Sequence, residues 1–315
     1  MPKPKKMEST RVVVIGTGFV GSTAAYTMMI EGVASEIVLI DVNKKKCEGE
    51  ALDIEHAISF APDSHVWAGD YKDCKDADVV VIAAGINQKP GQTRLELAKT
   101  NVKIITEVVK NVCKYTKDAI ILMVTNPLDV LTYTALKVSK FPKNQVFGTG
   151  TTLDSSRFRY LLAKKFNVDP HSMGAYLIGE HGDSEVPVYS HANVMGENIA
   201  SLPKYDKKTV AAAYTRTRDS AQEIIRKKGA TYYGIAAAVA RIVKSIINDE
   251  DHAYSVSSLM SGQYGVKDVC ISLPSTVGRT GIKKVLDIKL NNEELKKFKR
   301  SAQIIRTALD QSGVK

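Results

Sequence analysis

The sequence predicts an α/β protein, with a doubly wound parallel sheet in residues 1–149 and an α+β domain in residues 150–315. Three observations lead to this prediction. Short apolar runs alternate with helical patterns through the first half, which is typical of parallel strands buried on both faces. A glycine-rich turn joins the first run to the first helical pattern. After Gly150 the alternation stops, and strand-like segments cluster between longer helical patterns.

The first predicted unit is a strand, a turn, a helix and a second strand. Arg11–Ile15 is apolar and rich in β-branched residues, and Glu36–Ile40 has the same character. Between them, a helical pattern runs from Phe19 to about Glu31, and Gly32 is placed to end it. Such a crossover is right-handed. The same reasoning predicts strands at Asp78–Ala83, Ala119–Val124 and Gln145–Gly148, and helices at Lys44–Ile58, Arg94–Tyr115 and Leu128–Val138.

The second half predicts longer helices and less regular strands. The predicted helices are Asp154–Phe166, Lys207–Lys227, Thr231–Ile247 and Asn292–Gln311. The predicted strands are Ala175–Ile178, Ala253–Met260, Val269–Leu273 and Ser275–Thr280. The sequence contains no low-complexity linker between the halves, so we expect the two domains to pack tightly together.

Composition narrows the class of protein. Hydrophobic residues make up 44% of the chain, but no apolar stretch approaches the length of a membrane span. The basic, polar N-terminus lacks the apolar segment of a secretory signal. The four cysteines have neither paired nor metal-like spacing, which favours reduced packing residues and no metal site. These features predict a cytoplasmic protein without a membrane segment.

The formal net charge of +10 raises the question of nucleic-acid binding. However, the lysines are scattered, only 7% of residues are aromatic, and no known nucleic-acid-binding module is present. Solvated helix faces and turns explain the charge better. A second interpretation is that the positive field attracts anionic substrates and cofactors.

The first turn carries the pattern G-x-G-x-x-G, made of Gly16, Thr17, Gly18, Phe19, Val20 and Gly21. By itself this pattern also occurs in other glycine-rich loops. Here a strand precedes it, a helix follows it, and Asp41 ends the next strand about twenty residues later. That arrangement predicts a Rossmann-type dinucleotide site. A carboxylate at Asp41 accepts hydrogen bonds from ribose hydroxyls and repels a 2′-phosphate, so NAD is favoured over NADP.

A second cluster of motifs carries proton chemistry. His181 lies in the segment Gly179–Ser184, about two dozen residues after Asp154–Arg157. A histidine exchanges protons near neutral pH, a carboxylate can fix its tautomer, and an arginine binds an anionic substrate with two parallel hydrogen bonds. The alternatives are a helix-capping aspartate, an unrelated buried histidine and a surface ion pair for the arginine.

The chain resembles the L-lactate dehydrogenases of the lactate/malate dehydrogenase family from Arg11 almost to its C-terminus. Matching segments occur in the family's order: Val13–Gly21, Ala84–Arg94, Thr125–Asp129, Leu153–Arg157, Gly179–Ser184 and Gly229–Gly234. The resemblance implies that His181 gives a proton to the keto oxygen of pyruvate as NADH delivers hydride to the same carbon. It also implies that Asp154 orients His181 and that Arg157 binds the substrate carboxylate.

The resemblance assigns further roles to single residues. Asn126 would bond near the nicotinamide and the substrate oxygen, and Val124 and Ile235 would line the nicotinamide pocket. For Ile235, packing in the core is nearly as good an explanation. Ile86–Thr93 would form a lid that carries Arg94 inward to polarise the carbonyl, although this segment could also be a plain surface loop.

Gln88 is the position expected to discriminate between substrates. The family's malate dehydrogenases carry an arginine there, whereas a neutral amide offers no counter-charge to a second carboxylate. Thr231 also fits the methyl end of pyruvate. The sequence therefore predicts lactate and pyruvate as substrates. Malate or another 2-hydroxy acid is the near alternative, and a noncatalytic dinucleotide-binding protein is a more distant one.

The resemblance also bears on assembly and regulation. The family usually forms homotetramers, so self-association is expected, although no residue pattern here requires it. Many bacterial relatives are activated by fructose 1,6-bisphosphate through an arginine and a histidine at a subunit interface. Arg159 occupies the first of these positions, but Gly174 occupies the second, and the nearest histidine is His171. We therefore do not predict this activation.

Overall fold

A computed structural model of the chain describes residues 9–86 and 93–314. The strands of the first half are β1 (Arg11–Ile15), β2 (Glu36–Ile40), β3 (His65–Ala68), β4 (Val79–Ile82), β5 (Ile120–Met123) and β6 (Val146–Gly148). Its helices are α1 (Phe19–Ile30), α2 (Lys44–His56), α3 (Arg94–Val112) and α4 (Leu128–Ser139).

The second half contains four helices, two long strands and several short ones among the described residues. The helices are α5 (Thr152–Phe166), α6 (Lys207–Lys228), α7 (Tyr233–Ile247) and α8 (Asn292–Gln311). The strands are β7 (Met173–Gly174), β8 (Leu177–Ile178), β9 (Val186–Pro187), β10 (Asn193–Val194), β11 (Glu197–Asn198), β12 (His252–Ser261), β13 (Lys267–Gly278) and β14 (Gly281–Val285).

The large sheet has the strand order β14-β13-β12-β6-β5-β4-β1-β2-β3. Its six strands from β3 to β6 are mutually parallel, which confirms the doubly wound half. The strand order reverses between β1 and β4, and ligands of such sheets bind beyond the carboxyl ends of the strands at this point. β12 then pairs antiparallel with β6 through Ser257 and Gly148, so the sheet continues into the second half.

Several strand predictions were wrong. The edge strands β3 and β14 were not predicted, and β13 is one strand where two were expected on either side of Pro274. The Pro274 carbonyl accepts a hydrogen bond from the Leu286 N–H at 2.8 Å, so the missing proline N–H lies on that same side of β13. The ladder with β12 does not need it, which is why the strand passes through the proline.

Other predicted boundaries also moved by one to three residues, as two examples show. The strand expected at Ala175–Ile178 is reduced to Leu177–Ile178, and the helix expected from Thr231 begins at Tyr233. The α+β character of the second half is otherwise confirmed. The division between residues 149 and 150 stays a prediction, because one sheet runs across it.

The hydrophobic core also crosses from one half to the other. Val12 and Val14 of β1 share a buried cluster with Val239 of α7, Val256 of β12 and Val277 of β13. Burial of these side chains supplies the main favourable term in folding. None of the helices in the described ranges is long and apolar enough to cross a membrane. The two halves therefore hold each other in place, which fixes the groups at their junction.

Candidate active site

The glycine loop is shaped by two close approaches and one open position. Gly16 has a φ of +97°, and a Cβ there would lie 2.5 Å from the Ala84 nitrogen. A Cβ on Gly21 would lie 1.8 Å from the Gly16 carbonyl oxygen. At Gly18, by contrast, no atom lies within 4 Å of an added Cβ. The exposed backbone at Gly18 therefore fits the close approach of a pyrophosphate, and α1 begins directly after it.

Asp41 fastens this loop to the end of β2. Its Oδ2 accepts the Thr17 N–H at 2.7 Å and the Thr17 hydroxyl at 3.2 Å. Its Oδ1 accepts the Asn43 N–H at 2.8 Å. A carboxylate has further acceptor positions on both oxygens, so ribose hydroxyls can still be accommodated. The residues of this loop fit a dinucleotide.

Aromatic rings connect the glycine loop with the start of α7. The exposed ring of Phe19 stacks on Tyr232, with ring centroids 5.2 Å apart. The Lys228 Nζ lies 3.5 Å from the centroid of the Tyr232 ring, a cation–π contact. Val20 is half-buried in the first turn of α1. The predicted cofactor residues at the N-terminus of α1 therefore face the turn that contains Thr231.

Asp154 holds the predicted proton-transfer group and the predicted substrate-binding group together. Its Oδ2 accepts the Nδ1 hydrogen of His181 at 2.7 Å, and its Oδ1 accepts from the Nη1 of Arg157 at 2.8 Å. Only 8% of the Asp154 side chain is exposed. Because Nδ1 is engaged, Nε2 is the ring nitrogen of His181 that remains for a substrate.

Local structure explains why these three side chains meet. Asp154 lies in the first turn of α5, and Arg157 follows three residues later on the same helix face. His181 lies in the loop between β8 and β9. Gly179 begins this loop with a φ of +96°, and its backbone exchanges two hydrogen bonds of 3.0 Å with Ser272 of β13. The loop is therefore held by a strand of the large sheet.

Asp129 fixes the backbone of His181, a role that the sequence did not predict. Its Oδ2 accepts the His181 N–H at 2.8 Å, and its Oδ1 accepts the Ser257 hydroxyl at 2.5 Å. Asp129 is fully buried, and burial raises the pKa of its carboxyl to about 6. The only available signal was its place in the segment Thr125–Asp129, and nothing in that segment pointed to His181.

These groups open onto one cleft of about 470 Å³. It is lined by the predicted residues Asn126, Asp154, Arg157 and His181. The main-chain oxygen of Asn126 accepts a hydrogen bond from the buried side chain of Asn101 at 2.8 Å. The further lining residues with polar side chains, none of them predicted, are Asp129, Glu180, Asp183, Glu185, Arg218, Gln222, Gln311 and Ser312.

The charges around His181 favour its protonated form. Burial by itself lowers the pKa of His181, but the nearby carboxylates of Asp154, Asp129 and Glu185 outweigh it and raise that pKa to about 9. Burial acts in the opposite direction on Asp154, yet His181 and Arg157 together keep the pKa of its carboxyl below the usual value. At neutral pH the cleft therefore holds an imidazolium beside a carboxylate.

The remaining predicted substrate and nicotinamide residues are not among the described residues that line the cleft. Gln88 is outside the described residues, and for Arg94 the structure describes its place at the start of α3 but not its side chain. Thr231, Val124 and Ile235 are described and half-buried, but they do not line the cleft. Val124 and Ile235 instead pack against the same hydrophobic cluster, beyond the end of β5 and in the first turn of α7.

Sequence comparison identifies the family from both halves of the chain. Residues 10–148 match the NAD binding domain of lactate/malate dehydrogenase, and residues 151–313 match the alpha/beta C-terminal domain of the same family. The chain belongs to the lactate/malate dehydrogenase family. It is therefore an NAD-dependent oxidoreductase, and the glycine loop and Asp41 lie in its NAD-binding half.

Individual relatives agree over nearly the whole chain. The L-lactate dehydrogenase 1 of Bacillus cereus is 47% identical over 304 residues, covering 95% of this chain and 97% of the relative. The probable L-lactate dehydrogenase of Schizosaccharomyces pombe is 45% identical, covering 99% and 96%. A solved lactate dehydrogenase from a Medee basin deep-sea metagenome library superposes with a TM-score of 0.95 at 43% identity, covering 98% and 100%.

A further solved structure belongs to the same group. The minor L-lactate dehydrogenase of Enterococcus mundtii, crystallised with ligands bound, superposes with a TM-score of 0.94 at 43% identity. The match covers 96% of this chain and 98% of that one.

Proposed function

We propose that this chain is an L-lactate dehydrogenase that reversibly transfers hydride between NADH and pyruvate, with His181 as proton donor and acceptor. The observation that carries the proposal is the Asp154 carboxylate, which bonds both the His181 ring and the Arg157 guanidinium. One buried group thus sets a proton donor and an anion-binding group at a fixed spacing. A 2-keto acid carries its keto oxygen and its carboxylate at adjacent carbons, which suits such a pair.

In the reduction direction, the protonated His181 donates from Nε2 to the keto oxygen. When bound, NADH supplies the hydride that the carbonyl carbon receives. Asp154 stabilises the imidazolium beforehand and orients the ring, while Arg157 binds the substrate carboxylate. Lactate oxidation requires His181 in its neutral form, so rising pH favours the reverse direction.

The cofactor is held by the glycine loop and its surroundings in this proposal. The backbone of Gly16, Gly18 and Gly21 lets the pyrophosphate approach the N-terminus of α1, and Asp41 accepts from the ribose. Phe19 and Val20, on the first turn of that helix, border the same space. Val124, Asn126 and Ile235 would surround the nicotinamide.

The substrate preference rests on the segment before α3. Gln88 supplies no positive charge for a second carboxylate, and Thr231 suits the methyl end of pyruvate. Arg94, at the start of α3, would polarise the keto group. Both sequence relatives and both solved structures described above carry lactate dehydrogenase in their names, which favours this activity over malate dehydrogenase.

The test is to follow NADH absorbance with the purified protein, comparing pyruvate with oxaloacetate across substrate concentrations. We expect a much higher kcat/KM for pyruvate. A preference for oxaloacetate would keep the proton chemistry and overturn the substrate assignment. Absence of turnover with both, and with bulkier 2-keto acids, would favour a noncatalytic dinucleotide-binding protein.

Assembly and location complete the proposal. We propose a cytoplasmic homotetramer, in keeping with the family and with the unpaired cysteines, three of which are buried. Sedimentation equilibrium at several protein concentrations tests the first part, and a monomer throughout would contradict it. Fractionation of the source cells tests the second.

A further inference from the structure

Glu185 is a buried acid in the cleft that the proposed reaction does not use. It follows His181 by four residues in the loop before β9, and only 6% of it is exposed. It lines both the cleft and an adjoining hollow beside α8. Its Oε1 is buried and has no hydrogen-bond partner among the described residues. A buried carboxyl oxygen without a partner is costly, and more so when the group is ionised.

The charged groups around Glu185 come from several elements. Asp154 and Arg157 of α5, His181 of the same loop and Arg218 of α6 line the cleft with Glu185 and act on it electrostatically. Tyr214 of α6 donates its hydroxyl to the Glu185 main-chain oxygen at 2.8 Å, which fixes the backbone of Glu185 but not its carboxyl group. The adjoining hollow contributes the further charged residues Glu180, Asp183, Lys297 and Arg300.

Burial is the largest influence on this carboxyl. Burial and the Asp154 carboxylate raise the pKa of Glu185 to about 8, although His181, Arg157 and Arg218 act in the opposite direction. Glu185 is therefore neutral at pH 7 and becomes an anion as the pH rises through about 8. The same change brings a second negative charge to the arginine that already bonds Asp154.

We propose that Glu185 sets the alkaline limit of substrate binding, because its ionised carboxylate competes with the carboxylate of pyruvate or lactate for Arg157. In its neutral form it leaves the guanidinium to the substrate. In its anionic form it repels the substrate carboxylate within a buried space, where like charges interact strongly. This inference rests on the proposed function and adds a control on binding to it.

The first arm of the test measures the KM for pyruvate from pH 6.5 to 9.5 in the wild type and in Glu185→Gln. If only the neutral acid permits binding, about a tenth of the enzyme is competent one pH unit above the midpoint, so the KM rises about tenfold there. Deprotonation of His181 causes a further loss of pyruvate binding near pH 9. In Glu185→Gln the Glu185 contribution disappears, but the variant also loses the weakest of the carboxylate effects that raise the pKa of His181. The second change partly offsets the first, so we expect a KM for pyruvate several-fold below that of the wild type at pH 9, about tenfold at most.

The second arm uses lactate, for which the two groups act in opposite directions. Deprotonation of His181 favours lactate oxidation, whereas ionisation of Glu185 opposes lactate binding. At pH 9 we therefore expect Glu185→Gln to have a lower KM for lactate than the wild type, with kcat changed little. A variant that merely perturbed His181 would shift pyruvate and lactate in opposite senses, which would overturn the proposal.

The matched control is Glu180→Gln, which removes a carboxylate from the same loop. The Glu180 carboxylate already accepts the Ser184 hydroxyl, so its loss is expected to leave both midpoints in place. If both variants shift the pH dependence of KM equally, the effect comes from the net charge of the loop, and the proposed role of Glu185 is overturned. Thermal melts establish that each variant is folded, and Glu185→Met provides a second uncharged side chain if the glutamine variant is unstable.

The outcomes separate this inference from the proposed function. If the wild type turns over pyruvate and the KM of Glu185→Gln has an unchanged pH dependence, the inference alone fails. If the wild type turns over neither pyruvate nor lactate, the proposed function fails.

Discussion

In the proposed reaction, Asp154 is the residue that connects the proton donor with the anion-binding group. Its two oxygens are divided between two cations, with His181 at 2.7 Å and Arg157 at 2.8 Å. Charge-assisted hydrogen bonds of this kind are among the stronger polar contacts in proteins. The same carboxylate raises the pKa of His181 and holds the guanidinium of Arg157, so a change at Asp154 is expected to affect both proposed roles.

The first prediction concerns the charge of Asp154. In Asp154→Asn the main influence that raises the pKa of His181 is lost, and burial, which lowers it, dominates. The alkaline limb of pyruvate reduction should therefore move to lower pH, and kcat/KM at pH 7 should fall by about a hundredfold or more. The pH profile of kcat/KM measures both changes. A limb that stays in place would contradict this role for Asp154.

The second prediction concerns the shape of Arg157. Lysine keeps the charge but loses the planar pair of donors, and each charge-assisted hydrogen bond contributes about 1.5–3 kcal/mol. Arg157→Lys should therefore raise the KM for pyruvate by about tenfold or more. Arg159→Lys on the same helix is the control, since Arg159 donates to the Ser155 carbonyl and does not line the cleft. Equal effects in both variants would argue against a specific contact.

The third prediction concerns substrate selection by Gln88, a residue outside the described ranges. An arginine there would supply a counter-charge for a second carboxylate, so Gln88→Arg should shift preference toward oxaloacetate. The ratio of kcat/KM for the two keto acids measures the shift. The idea is abandoned if that ratio is unchanged.

At the scale of elements, the β1–α1 turn separates packing from ligand contact. Gly21 is pressed against the Gly16 carbonyl, whereas the space beside Gly18 is open. The two glycines belong to the same motif at the start of α1, but a Cβ would clash with backbone at Gly21 and meet no atom within 4 Å at Gly18. An alanine substitution at Gly21 therefore tests packing, whereas one at Gly18 tests the approach of a ligand to the same turn.

The fourth prediction uses this contrast. Gly21→Ala should destabilise the fold by about 1–3 kcal/mol through overpacking, and lower Tm accordingly. Gly18→Ala should leave Tm unchanged but weaken NADH binding by about tenfold, because the methyl group occupies the path of the pyrophosphate. Thermal melts and fluorescence titration with NADH distinguish the two effects. Tight NADH binding by Gly18→Ala would show that the cofactor does not approach this backbone.

Strand elements show where sequence patterns are informative. The buried parallel strands β1, β2, β4 and β5 were predicted because they are continuous apolar runs. The edge strands β3 and β14 carry exposed polar residues such as His65, Lys283 and Lys284, so they lack such a run. Charged residues on an edge strand discourage pairing with other chains. The same residues interrupt the apolar run by which a buried strand is predicted from sequence.

At the scale of the whole molecule, the two halves share a sheet and a core. The fifth prediction is that they unfold in one transition, because separating them would expose the cluster that joins β1 to α7 and β13. NADH at about a hundred times its dissociation constant should raise the stability of that single transition by about 2.7 kcal/mol. Differential scanning calorimetry with and without NADH measures this. Two transitions, of which NADH shifts only one, would contradict the shared core.

The sequence by itself determined the doubly wound half and the glycine loop, and it selected His181, Asp154 and Arg157 as candidate site residues. These depend on local patterns: apolar runs, a turn that needs glycine, and residues one helical turn apart. Only the tertiary structure placed the Asp129 carboxylate against the His181 N–H, Ser257 against Asp129 and Glu185 in the same cleft as Arg157. Ser257 and Asp129 are 128 residues apart, and no local pattern encodes such a contact. The burial that raises the pKa values of Asp129 and Glu185 likewise exists only once the two halves have packed together.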